Sequence, residues 1–230
     1  MKYIVSFILT VVVLISCNTE KKGNMIVTGQ IEGLKKGTIY LQKFNDSLLI
    51  SVDSIELSGL SEFTLSSEID MPEIYYISLD KKSEDKIPFF GEKGEINIST
   101  KLSKFQTAVR IEGSKNQELL DEHNAMIKKF NNKRLDLIKE KFEAQIANDT
   151  ALASKIENDE NGLLRRKYYY STNYAVSHSG YEVAPYLAVT ELIYANIKLL
   201  DTIHNSLSEK VKQSKYGLEL EKFIEDIKNK

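Results

Sequence analysis

Arg110-Ile-Glu-Gly-Ser-Lys-Asn-Gln-Glu-Leu-Leu120 is the stretch that decides the fold, because the chain changes its period there. Before Gly113, apolar residues fall in short runs between turn residues. After Ser114 they recur every three or four positions. Ser114 can take the first free N–H groups of a helix, and Gln117 three residues on has the spacing of a capping box.

On the N-terminal side the chain reads as strands. Met25–Ile31, Thr38–Phe44, Leu49–Leu57, Glu62–Ile69, Glu73–Leu79, Glu95–Thr100 and Thr107–Ile111 are rich in Ile, Val, Tyr and Phe and punctuated by Gly. Pro72 and Pro88 stand at the starts of runs, where a missing N–H is tolerated. Strands this close together, with no helix between them, predict an antiparallel β-sandwich-like domain over 25–113.

On the C-terminal side Leu120, His123, Ile127, Phe130, Arg134, Ile138, Phe142 and Ile146 predict a long helix with one apolar stripe. Asn148-Asp149-Thr150 breaks it, and a second long helix is expected to about Ser177. Shorter helices follow, at about 183–196 and 216–228, with Pro185 tolerated in a first turn. The fold class expected is α+β: the sandwich, then a helical region over 114–230 built on two long antiparallel helices packed on it.

Outward to the N-terminus, Lys2 precedes the apolar run Ile4–Ile15, too short to span a bilayer and matched to a signal-peptide core. Leu14-Ile15-Ser16-Cys17 resembles the lipobox of bacterial lipoproteins. The resemblance implies a signal peptide at 1–16, lipid on Cys17, a tether over 17–24, and membrane attachment through the acyl chains. Cys17 is the only cysteine, so its lipidation leaves no thiol for disulfides, metal binding or nucleophilic attack. The net charge of −2, with acids and bases interspersed, gives no basic footprint for nucleic acid.

The order of parts resembles the uncharacterised β-rich domain, a domain of unknown function, that with a helical segment precedes thioredoxin-like domains in lipoproteins of Bacteroidota. The matching pieces are Val27-Thr-Gly-Gln-Ile31, Gly37-Thr-Ile-Tyr-Leu41, Val52-Asp-Ser54, Phe63-Thr64, Pro72-Glu-Ile-Tyr75, Ile87-Pro-Phe-Phe90, Gly94-Glu-Ile96, Ile111-Glu-Gly-Ser114 and Ser214-Lys-Tyr-Gly217. The resemblance implies a place in the cell envelope, at the outer membrane facing the periplasm. It assigns no catalytic residue. The chain ends at Lys230, where the relatives' redox domain would begin, and has no Cys-x-x-Cys. No thiol chemistry of its own is therefore expected.

Reactive motifs are missing. There is no Gly-x-Ser-x-Gly, Walker loop or His-Glu-x-x-His. His123, His178 and His204 lie far apart, so neither a metal nor any other cofactor is expected. The acidic groups Asp80/Glu84/Asp85 and Asp159/Glu160 lack the ligand order of an EF-hand. A tyrosine-rich region offers Tyr168, Tyr170 and Tyr174 as candidates for sugar stacking or a peptide groove, against core packing as the plainer reading. Four Asp-Ser/Thr-apolar tripeptides resemble the O-glycosylation acceptor of Bacteroidota envelopes, at Ser47, Thr150, Thr202 and Ser54. The reading is a non-enzymatic lipoprotein acting as an interaction or accessory module with an unknown envelope partner. Its alternatives are a glycan or peptide binder, an accessory of a periplasmic thioredoxin-like system, and an enzyme whose carboxylate site the sequence hides.

Overall fold

The computed structural model describes residues 23–81 and 85–229. Cys17, the expected signal peptide, most of the tether and Glu84 lie outside these residues. The described chain is α+β, with two four-stranded sheets followed by helices. One sheet has the order β4-β1-β7-β8, made of Glu62–Ser67, Met25–Glu32, Gly94–Lys101 and Arg110–Glu112. The other has the order β3-β2-β5-β6, made of Leu48–Ser58, Lys36–Asn45, Glu73–Ser78 and Lys86–Gly91.

Alternation along β1 puts Met25, Val27 and Ile31 inward, where they meet Ile39, Leu41, Tyr75, Ile77 and Phe89 of the opposite sheet. This shared core is the inside of a sandwich. Pairing departs from the expected pattern in one place: β1 runs parallel to β7, from Met25↔Gly94 to Glu32↔Lys101. The last strand is also shorter and later than the expected Thr107–Ile111.

Strand β6 was not among the expected runs. Ile87 and Phe89 are buried on one face and Phe90 on the other, with Pro88 exposed, so apolar residues occupy both faces and no clean alternation shows in the sequence. Pro88 lies inside it. That is tolerated because β6 is the sheet edge, and in the antiparallel ladder Pro88 turns its missing N–H away from β5.

The helices are α1 (Lys115–Ile146), α2 (Thr150–Ser177), α3 (Val183–Glu191), α4 (Ile197–Ser206), α5 (Glu209–Lys212) and α6 (Lys215–Lys228). α3 stops short of the expected Asn196. α1 begins as the sequence implies, since Ser114 Oγ accepts from the Gln117 N–H at 3.1 Å. The Glu92 carboxylate adds a second cap by accepting from the Lys115 and Asn116 N–H groups. A negative charge there also suits the positive end of the helix dipole.

The helices cover the outer face of β5 and β6. Ile74 and Phe90 join Leu119, Tyr174, Val183, Leu187 and Tyr216 in one buried cluster. Where β2 and β5 part beyond the Lys43↔Tyr75 pair, the Tyr216 hydroxyl accepts from the Ile74 N–H at 3.0 Å. Glu73 binds Lys43 of β2 at 2.7 Å and Lys215 of α6 at 2.9 Å. Sandwich and helical region thus share polar contacts as well as a core.

Candidate functional site

Two features emerge from this packing. The first is a groove of about 410 Å³ where the edge strand β6 meets α1 and α3. Ile74, Ile87, Pro88, Val109 and Ile111 give it an apolar floor from the sandwich. α1 contributes Gln117, Leu120, Asp121 and Asn124, and α3 contributes Tyr186, Leu187, Thr190 and Glu191. Gln106 completes the lining. The volume lies in the range of small-ligand pockets, roughly 300–1,000 Å³.

Gln117 organises this groove. Its Oε1 accepts from the Phe90 N–H at 2.9 Å, and its Nε2 donates to Asp121 Oδ1 at 2.8 Å. The capping-box reading therefore holds on the Ser114 side only, because the Gln117 side chain turns to the sheet edge. Burial pushes the Asp121 carboxyl above its ordinary value, and the Gln117 hydrogen bond opposes that rise. Glu191 is paired with Lys167 at 3.2 Å. The groove holds two carboxylates, and among its lining residues there is no lysine or arginine.

The second feature is the outer half of the α1/α2 hairpin. Leu137, Ala144, Ile156 and Leu163 form its seam, with Phe130 and Ala153 packed beside them. The single stripe expected from the sequence splits here. Leu135 (64% exposed), Ile138 (42%), Phe142 (63%) and Ile146 (68%) share the face of α1 turned away from that seam. Their spacings of three, four and four residues keep them on one side of the helix. Packing against α2 instead follows Phe130, Leu137 and Ala144, every seventh residue.

The tyrosine candidates do not gather in the groove. Tyr174 is buried, its hydroxyl donating to the Leu119 carbonyl at 2.8 Å. Tyr170 lies against the His123 ring at 5.6 Å and 21°, in a stack that joins α1 to α2. Tyr168 packs against the separate core formed by α2 with α3, α4, α5 and α6. The tyrosine that does line the groove is Tyr186, which meets Phe90 edge-on at 5.1 Å. His123 is fully buried with Nε2 and Ser171 Oγ 2.9 Å apart, and burial lowers the imidazole pKa. It sits in the hairpin core, as its place on the apolar stripe implied.

Ser47, Ser54, Thr150 and Thr202 are all exposed. Ser47 lies with Asp46 in the two-residue turn between β2 and β3, Thr150 opens α2, and the Thr202 hydroxyl donates to the Lys198 carbonyl at 2.7 Å. Among the described residues, no group of three His, Cys, Asp or Glu is placed to hold a metal ion. None of the described helices is long and apolar enough to cross a membrane.

Comparison with known families gives a match to the N-terminal part of the chain. Residues 25–120 match the sequence profile of a domain of unknown function (DUF4369), the β-rich segment to which the resemblance pointed. The match spans the whole sandwich and the first turns of α1, ending at Leu120 on the groove wall. No curated protein and no solved structure matches the chain.

Proposed function

We propose that this chain, whose residues 25–120 match that domain of unknown function, is a non-catalytic lipoprotein of the cell envelope that works as an interaction module. The observation that carries the reading is the bare stripe on the hairpin arm. Four large apolar side chains lie side by side on a surface that, among the described residues, has no further element against it. Exposed apolar side chains grouped on one face in this way suit a contact surface. The arm's inner seam already holds its two helices together, so the outer stripe is not needed to close the fold. The supporting sequence features are the lipobox at Leu14–Cys17 and the lack of a reactive motif.

Two experiments address the two halves of this reading. A photoactivatable phenylalanine at position 142, irradiated in intact cells, is expected to join the chain to one discrete envelope protein. The same probe at Glu157 on α2 is expected to give no such adduct. Adducts with lipid only, or none at either position, would remove the interaction role. With the probe kept at position 142, Ile146→Ser is expected to abolish the adduct while changing stability by no more than about 0.5 kcal/mol, as is usual for an exposed side chain.

The anchor is tested separately. Cys17→Ala is expected to abolish incorporation of a fatty-acid analogue and to release the protein from the membrane or leave its leader uncleaved. Undiminished labelling would exclude lipidation at Cys17.

A further inference from the structure

We propose that the groove beside β6 binds an extended peptide segment carrying a lysine or arginine, laid along the sheet edge as an added strand. The edge itself gives the first argument. In the antiparallel pairing of β5 with β6, the backbone groups of Lys86, Pro88 and Phe90 face away from β5. Two of these groups are held by side-chain amides. Gln106 Nε2 donates to the Lys86 carbonyl at 3.2 Å, and Gln117 Oε1 accepts from the Phe90 N–H at 2.9 Å. A glutamine amide has the same donor and acceptor as a peptide group. The two glutamines therefore stand where the peptide groups of a neighbouring strand would stand. Gln106 is exposed and free to yield, whereas Gln117 is buried and fixed by Asp121. An incoming strand would replace Gln106 at the Lys86 carbonyl, continue to the Pro88 carbonyl, and end against Gln117.

Shape and charge give the second and third arguments. Strand addition takes its affinity from backbone hydrogen bonds and its specificity from pockets for alternate side chains. Here Ile87 and Val109 on one side, and Tyr186 and Leu187 on the other, offer apolar walls to both sets. Asp121 and Glu191 stand on the helical wall, Glu191 paired with Lys167 from outside the lining, and no lysine or arginine lines the groove itself. The complementary occupant is apolar with one positive side chain. An anion does not fit the charge, and a free metal ion leaves the apolar walls unfilled.

The test uses the full chain in detergent micelles and two pools of fluorescent heptapeptides. Both pools alternate Val, Leu or Tyr with Thr, and they differ only in a central Lys or Glu. Anisotropy is expected to show the Lys pool binding at least tenfold more tightly. Asp121→Asn is expected to reduce that preference to threefold or less. Gln106→Ala is expected to tighten binding several-fold by freeing the Lys86 carbonyl, an effect that loss of structure would not produce. Thr190→Arg, at an exposed position on the groove wall, is expected to abolish binding with the melting temperature unchanged. A Lys pool methylated at alternate backbone nitrogens is expected not to bind. Equal binding of the Lys and Glu pools, retained binding of the methylated pool, or no binding of the Lys pool up to about 1 mM would each overturn the proposal.

Discussion

Phe90→Ala is expected to cost about 3–5 kcal/mol, the range for removing a fully buried phenylalanine where the site cannot collapse. Collapse is resisted here because three elements hold the walls of the cavity apart. The Phe90 ring is wholly buried in the cluster formed by Ile74, Leu119, Val183, Leu187 and Tyr216. Tyr186 and Tyr216 both meet it edge-on, at 5.1 and 6.1 Å. In a chain of this size each kcal/mol lowers the melting temperature by about 2–4 °C, so a fall of roughly 10 °C is expected. The same cluster joins sandwich to helices, so the transition is expected to stay single. Calorimetry checks both expectations. A drop confined to a separate helical transition would mean that the two parts unfold independently.

Gly113→Ala is expected to cost at least about 3 kcal/mol, more than any ordinary change at a turn. Gly113 has φ of +94°, a conformation in which a Cβ alone costs roughly 1–2 kcal/mol. A Cβ placed there would also stand 2.1 Å from the Glu95 carbonyl oxygen. That oxygen belongs to the backbone of β7, so relief requires moving the strand or the start of α1. Either movement disturbs Glu92 and Ser114, which hold the first turn of that helix. Urea unfolding is the measurement. A midpoint equal to that of the parent chain would show that the turn has slack the geometry does not suggest.

Gly113 is also where the sequence was most readable, and the reason is physical. A glycine between a period of two and a period of three to four marks the joint of strand and helix by itself. Ser114 confirms the joint through its own backbone contact, which needs no knowledge of the rest of the fold. Strand β6 was hidden because Phe89 and Phe90 are buried on opposite faces, which erases the alternation that announces a half-covered strand. The parallel pairing of β1 with β7 was hidden because partner choice depends on the connections between strands and leaves no local period.

The hairpin shows another limit. Ile138, Phe142 and Ile146 have the spacing of a buried stripe and are exposed, while Leu137 and Ala144 form the seam. An apolar period reports that a face is sticky, and only the partner helix decides which face closes. The groove was the least legible feature. Gln117 carried a complete local reading as a capping residue, and its actual partner, the Phe90 N–H, lies 27 residues earlier in the chain. The tyrosines misdirect in a similar way. Tyr170 and Tyr174 are adjacent on α2 and spend their rings on joining α2 to α1, whereas Tyr186 reaches the groove from α3.

The length of α1 has a mechanical consequence. At about 1.5 Å per residue its 32 residues form a rod near 48 Å long. Leu135 lies about 30 Å along that rod and Ile146 about 47 Å. A load applied at the outer stripe therefore acts with a long lever, and its torque falls on the root. There Asn116 Nδ2 donates to both Glu92 and Glu182, at 2.9 and 3.3 Å, while Asn116 Oδ1 accepts from the Val183 N–H at 2.9 Å. This one asparagine fastens the rod to the turn after β6 and to the start of α3. Tension on the tip would be felt first at that fulcrum, one residue before the glutamine that closes the sheet edge.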